Sequence, residues 1–82
     1  MEAVASPGLQ GADLRAAQKE ASATERKIEK LQAQIDRAKA SLADHDQSDY
    51  VGLGKEMQRI SEWEAERDEL ELRWFELTET IG

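Results

Sequence analysis

The 82-residue chain has no cysteine, a single histidine, one proline and only 5% aromatic residues. Without cysteine there can be neither a disulfide nor a thiolate metal site. One histidine without cysteine makes no zinc cluster. No apolar run approaches the roughly 20 residues of a membrane span or the core of a signal peptide, so a soluble, cytoplasmic chain without a membrane partner is expected. Apolar content is 39% against 35% charged residues. That balance is too polar for a globule with a deep core and normal for long amphipathic helices. With few residues to bury, only modest stability is expected.

What the chain does have is rhythm. From Leu14, an apolar or small residue returns at alternating steps of three and four: Leu14, Ala17, Ala21, Thr24, Ile28, Leu31, Ile35, Ala38, Leu42. This is the a/d pattern of a coiled coil. A second pattern follows at Tyr50, Leu53, Met57, Ile60, Trp63, Leu70, Trp74, Leu77 and Ile81. Its three-residue steps from Met57 to Trp63 read as a stammer, with Arg67 then occupying a core slot. The spacing predicts an all-α fold, a two-helix antiparallel coiled-coil hairpin with helices over about 12–43 and 49–80. A single chain covers its own seam in this way, so a monomer is expected.

Residues 1–11 hold Ser6-Pro7-Gly8 and Gly11 without periodicity and read as a flexible, disordered linker. Residues 43–49 form the turn. Ser48 or Asp46 is the expected cap of the second helix, with Asp49 adding negative charge at its positive end. Gly52 and Gly54 should loosen the start of that helix, each costing up to about 1 kcal/mol against alanine. Folding about the turn pairs Leu42 with Tyr50 and Val51, Ile35 with Met57, Leu31 with Ile60 and Thr24 with Arg67. Leu72 and Phe75 fall off the stripe and suggest extra apolar surface near the free ends.

The net charge is −7, which by itself argues against a polyanionic partner. The distribution is uneven. Residues 12–42 hold seven basic and five acidic side chains, whereas residues 50–82 hold four basic and nine acidic ones. Arg15, Lys19, Arg26, Lys30 and Arg37 recur at steps of four and seven, which lines them along one outer face of the first helix. Such a face can follow a phosphate backbone, or it can be an ordinary solvated face. No aromatic is interleaved, so stacking on single-stranded bases is not supported.

Other candidates reduce to structure. Asp44, His45, Asp46 and Asp49 fit no calcium loop and read as capping and solvation of the turn. Trp63 and Trp74 sit at seam spacing and read as core. Gly52-Leu53-Gly54 is no nucleotide fingerprint, and no phosphate loop is present. No catalytic residue, cofactor site or metal site is assigned.

Three segments are similar to a known domain: Lys30-Leu31-Gln32-Ala33, the turn Leu42-Ala43-Asp44-His45-Asp46…Asp49-Tyr50, and Arg73-Trp74-Phe75-Glu76-Leu77. The start Leu14-Arg15-Ala16-Ala17-Gln18-Lys19-Glu20 looks like that of actinobacterial members. Together they resemble the C-terminal coiled-coil domain of ABC-F (Uup-type) ATPases, which carry two ATP-binding cassettes and no membrane span. The resemblance implies an isolated fragment whose upstream cassettes bind ATP, and a role in contacting the ribosome, its RNA or DNA. The two glycines opening the second helix and the acidic balance depart from the family pattern. The competing reading is a structural or dimerising protein-interaction coiled coil, and a third is a tRNA-binding helical arm of the synthetase type.

Overall fold

A computed structural model describes residues 11–81. Two α-helices, α1 (Gly11–Asp44) and α2 (Tyr50–Ile81), pack against each other as an antiparallel hairpin. Each is about 50 Å long at 1.5 Å per residue. The expected linker lies outside the described residues except for Gly11. That residue opens α1 with a φ of +55°, a left-handed value that glycine reaches without steric cost.

Every α1 residue assigned to the seam is buried or half-buried, from Leu14 to Leu42. The α2 seam differs from the expected one. Tyr50, Val51 and Met57 are 80, 71 and 57% exposed. A stripe of buried and half-buried positions runs instead Leu53, Glu56, Ile60, Trp63, Arg67, Leu70, Trp74, Leu77, Ile81, with Gly52, Glu64 and Thr78 half-buried beside it. These steps of three and four are unbroken, so there is no stammer. The physical reason is angular: successive residues turn by about 100°, so Met57 and Trp63 stand about 120° apart and one narrow seam cannot hold both. Glu56 takes the slot, half-buried, with its carboxylate 3.7 Å from Arg59 Nη1.

The register shifts with it. Leu31, Ile35 and Ile60 form the buried centre, with Ala38, Leu42, Trp63 and Leu70 packed on it. Ile60 therefore shares the core with Leu31, as expected, and also with Ile35, whose expected partner Met57 is exposed. The turn explains the difference, because the helices end at Asp44 and begin at Tyr50, and the chain reverses about Gln47. Taking seam residues as a and d, Lys39 and Glu64 are both e positions and pair at 2.9 Å, while Glu20 and Arg73 are both g positions and pair at 2.8 Å. Such e–e and g–g pairing across the two flanks is what an antiparallel pair requires.

The turn is closed by its own side chains. Asp49, not Ser48 or Asp46, caps α2: its Oδ1 accepts the Gly52 amide at 3.0 Å and its Oδ2 lies 2.9 Å from His45 Nε2. Asp46 Oδ1 accepts both the amide and the hydroxyl of Ser48, at 3.0 and 2.7 Å. Gln47 Nε2 donates to the carbonyl of His45 at 2.7 Å and to that of Leu42 at 3.4 Å, covering the end of α1. Gly52 leaves room for this arrangement of Asp49 and His45. A Cβ at this position would fall on the Asp49 carboxylate and 2.9 Å from His45 Nε2.

Candidate nucleic-acid interface

The five basic residues singled out by spacing all lie on α1 and all are exposed. In the observed register Arg15 is a b position, Lys19 and Arg26 are f, and Lys30 and Arg37 are c. These are the three heptad positions furthest from the seam. The row from Arg15 to Arg37 spans about 33 Å. Among the described residues none of the five is ion-paired, whereas Lys39, at an e position, is held by Glu64.

Ala23, Arg26, Lys27, Glu29 and Lys30 surround a shallow open groove. Lys27 and Lys30 also border a second groove at the helix–helix junction, together with Leu31, Gln34, Glu66 and Leu70. Lys27 was not among the sequence candidates, because as a g position it breaks the four-and-seven spacing. Its signal was available in the heptad, since g flanks c on the same side of the helix. The structure thus brings Arg26, Lys27 and Lys30 together, with Lys19 and Arg37 one step further along each way.

The remaining groups near the turn are committed to structure. The Gly52 amide, then the His45 imidazole, hold the Asp49 carboxyl below the usual carboxylate range. The Ser48 amide and hydroxyl do the same for Asp46. Among the described residues no group of three or more His, Cys, Asp or Glu side chains is placed to hold a metal. No described helix is long and apolar enough to cross a membrane.

The profile of the ABC transporter C-terminal domain family matches residues 14–79. The chain belongs to that family. The match begins on Leu14, the first seam residue of α1, takes in the turn, and ends beyond Leu77 of α2. It therefore covers the whole hairpin seam except Ile81, and the entire basic row. Comparisons with curated proteins and with solved structures give no match.

Membership makes the domain a C-terminal appendage of an ABC-type protein. The motifs noted in the sequence acquire physical roles in this domain. In Lys30-Leu31, the leucine enters the core and the lysine joins the basic row. The Asp46-to-Tyr50 stretch holds the Asp46 turn and the Asp49 cap. Trp74 and Leu77 lie in the seam, half-buried and buried, while Phe75 between them is 56% exposed.

Proposed function

We propose that the domain is the arm of a cytoplasmic ABC-F-type ATPase that lays the outer face of α1 along the phosphate backbone of a nucleic acid, ribosomal RNA or DNA. The ATP-binding cassettes would lie upstream in the same protein, and ATP would act there. The observation that carries this reading is the exposed row Arg15, Lys19, Arg26, Lys30 and Arg37, joined by Lys27 and free of carboxylate partners among the described residues. An arm two helices wide offers length and stiffness in place of a pocket, which suits contact with an extended polyanion. The acidic α2 stands about 10 Å behind α1. At 0.1 M salt that is about one Debye length, so α2 weakens binding without cancelling it.

The test is titration of labelled duplex RNA and DNA with the domain at 50 and 200 mM salt. Contact with about five phosphates gives a loss of affinity on the order of 10²–10³-fold across that range. Replacing Lys19, Arg26, Lys30 and Arg37 with Gln should abolish binding and leave the melting midpoint within a few degrees. No binding at 50 mM salt, or equal binding by the four-Gln variant, rejects the proposal and favours a protein-interaction coiled coil.

A further inference from the structure

The seam is not the only heptad stripe on this hairpin. The α1 f and c positions hold Ala12, Ala16, Ala23, Ala33 and Ala40, with Lys19, Arg26, Lys30 and Arg37 between them at the same alternating steps of three and four. All but Ala23 are exposed, and Ala23 is half-buried. The opposite flank of α2, its b and e positions, carries large apolar side chains and acids with no base. Tyr50, Met57 and Phe75 are 80, 57 and 56% exposed, and Glu64, Asp68 and Glu71 lie between them.

We infer that these two faces form a second antiparallel seam between copies of this chain, the b/e flank of α2 in one copy seating on the f/c face of α1 in the next. Run antiparallel, the two stripes are complementary at all of these positions except Asp68. Tyr50, Met57 and Phe75 fall opposite Ala40, Ala33 and Ala16, each bulky side chain over a methyl-sized gap. In the same alignment Glu71 falls opposite Lys19, Glu64, which also holds Lys39 of its own chain, falls opposite Arg26, and Asp68, held by Arg67, falls opposite Ala23. Gly54 and Ser61, both small, fall opposite Arg37 and Lys30 and leave room for the long basic stems. Large on α2 against small on α1 is also the rule within the seam, where Ala17 and Ala21 share the free-end half with Trp74 and Leu77.

A second copy fits better than any like-on-like contact. Two α1 faces would set bases against bases, and two α2 flanks acids against acids. In an antiparallel pair the c positions of α1 and the b/e positions of α2 lie on opposite broad sides of the hairpin. Copies related by simple translation can therefore use both faces at once, giving an open, heterologous row with all turns at one edge. One helix-to-helix contact of this length is small beside standard interfaces, so the chain is a monomer when dilute and associates only at high concentration. The row occupies the α1 face with protein instead of phosphate, and it requires no nucleic acid.

Sedimentation of the 82-residue chain without nucleic acid, at low salt from roughly 10 µM to 1 mM, tests this at the concentrations where weak contacts fill. The expected result is a mass that rises with concentration above the monomer. Met57→Lys with Phe75→Lys removes the α2 face, and Ala16→Glu with Ala33→Glu removes the α1 face. Each double variant alone should stay monomeric, with an unchanged helical circular-dichroism signal confirming the fold. An equimolar mixture retains one intact face of each kind and should form 1:1 pairs and nothing larger. A wild-type chain that is monomeric throughout, a double variant that still associates, or a mixture that stays monomeric overturns the proposal. None of these results bears on phosphate binding, so the two proposals fail separately.

Discussion

Arg67 Nη1 donates to Gln32 Oε1 at 2.8 Å across the helix–helix contact, in the middle of an otherwise largely apolar stripe. Arg67 occupies an a position, where a polar residue fixes register at some cost in stability. Simple folding about the turn sets it opposite Thr24, two turns further from the reversal than Gln32. Side chains in a helix lean toward their own N-terminus, and for α2 that direction is toward the turn, where Gln32 waits on α1. Asp68 holds the other edge of the guanidinium at 3.0 Å. Arg67→Met should therefore raise the melting midpoint while loosening the choice of register. Thermal melting followed by circular dichroism measures the first effect, and a lowered midpoint would mean that the Gln32 bond outweighs an apolar seam.

Core substitutions distinguish the observed register from the expected one. Ile35 is fully buried and Met57 is 57% exposed. Ile35→Ala should cost about 3–5 kcal/mol, enough to unfold much of a hairpin this small. Met57→Ala should stay within about 0.5 kcal/mol, as an exposed position away from caps and charges. Urea titration of both variants provides the comparison. Equal losses would place Met57 back in the seam.

The α1 seam was legible because all nine of its positions are apolar or small, and every one is covered. The α2 seam was legible at Leu53, Ile60, Trp63, Leu70, Trp74, Leu77 and Ile81, but not at Tyr50 and Met57, because hydrophobicity and position disagree there. Glu56 and Arg67 sit in the seam, while Tyr50, Met57, Leu72 and Phe75, all better core residues by composition, face outward. A reading that follows apolar residues must break the heptad to keep Met57, and then infers a stammer that does not exist. The capping residue was missed for a local reason. Asp46, Ser48 and Asp49 are all good caps, and only the helix start at Tyr50 selects Asp49. The basic row could be read from spacing, whereas Lys27 became visible only once the heptad placed g beside c.

Gly52 should behave against its propensity. In an ordinary helix position Gly→Ala stabilises by up to about 1 kcal/mol. Here a methyl group collides with the Asp49 carboxylate that caps the helix, so Gly52→Ala should lower the melting midpoint. In an Asp49→Ala background, where the cap is already gone, the same substitution should raise it. Gly54, whose Cβ position is open, should show the ordinary stabilisation in both backgrounds. Four melting curves around the Gly52–Asp49 cycle settle the point, and additivity would exclude the collision.

Acid should act on the turn. Asp49 and Asp46 titrate below the usual carboxylate range because backbone amides, a hydroxyl and the His45 imidazole favour their charged forms. A carboxyl whose folded-state value is depressed adds stability that is fully present above its unfolded value, about 3.9. That stability is lost as pH falls through the lower folded value. The melting midpoint should thus change little through this pair between pH 7 and about 5, and fall below about pH 4. Asp49→Asn keeps a capping side chain but has no proton to gain. The wild-type advantage over this variant should shrink as pH drops through that window, and an advantage constant from pH 7 to 2 would show that the charge on Asp49 contributes nothing.

Lys27 and Lys39 separate a specific phosphate contact from a general effect of positive charge. Both are exposed lysines on α1, and either substitution by Gln removes one charge. Lys27 borders the groove shared with Arg26 and Lys30, while Lys39 faces the other flank and is paired to Glu64 at 2.9 Å. If nucleic acid lies along the outer face of α1, Lys27→Gln should remove about one phosphate contact and reduce the slope of log affinity against log salt by about 0.9. Lys39→Gln should leave that slope unchanged, since its ammonium already has a carboxylate partner and points away from the row. Anisotropy titrations of labelled duplex at four salt concentrations give both slopes. Equal reductions would mean that the polyanion senses only overall charge, and that the groove around Arg26, Lys27 and Lys30 plays no part in holding it.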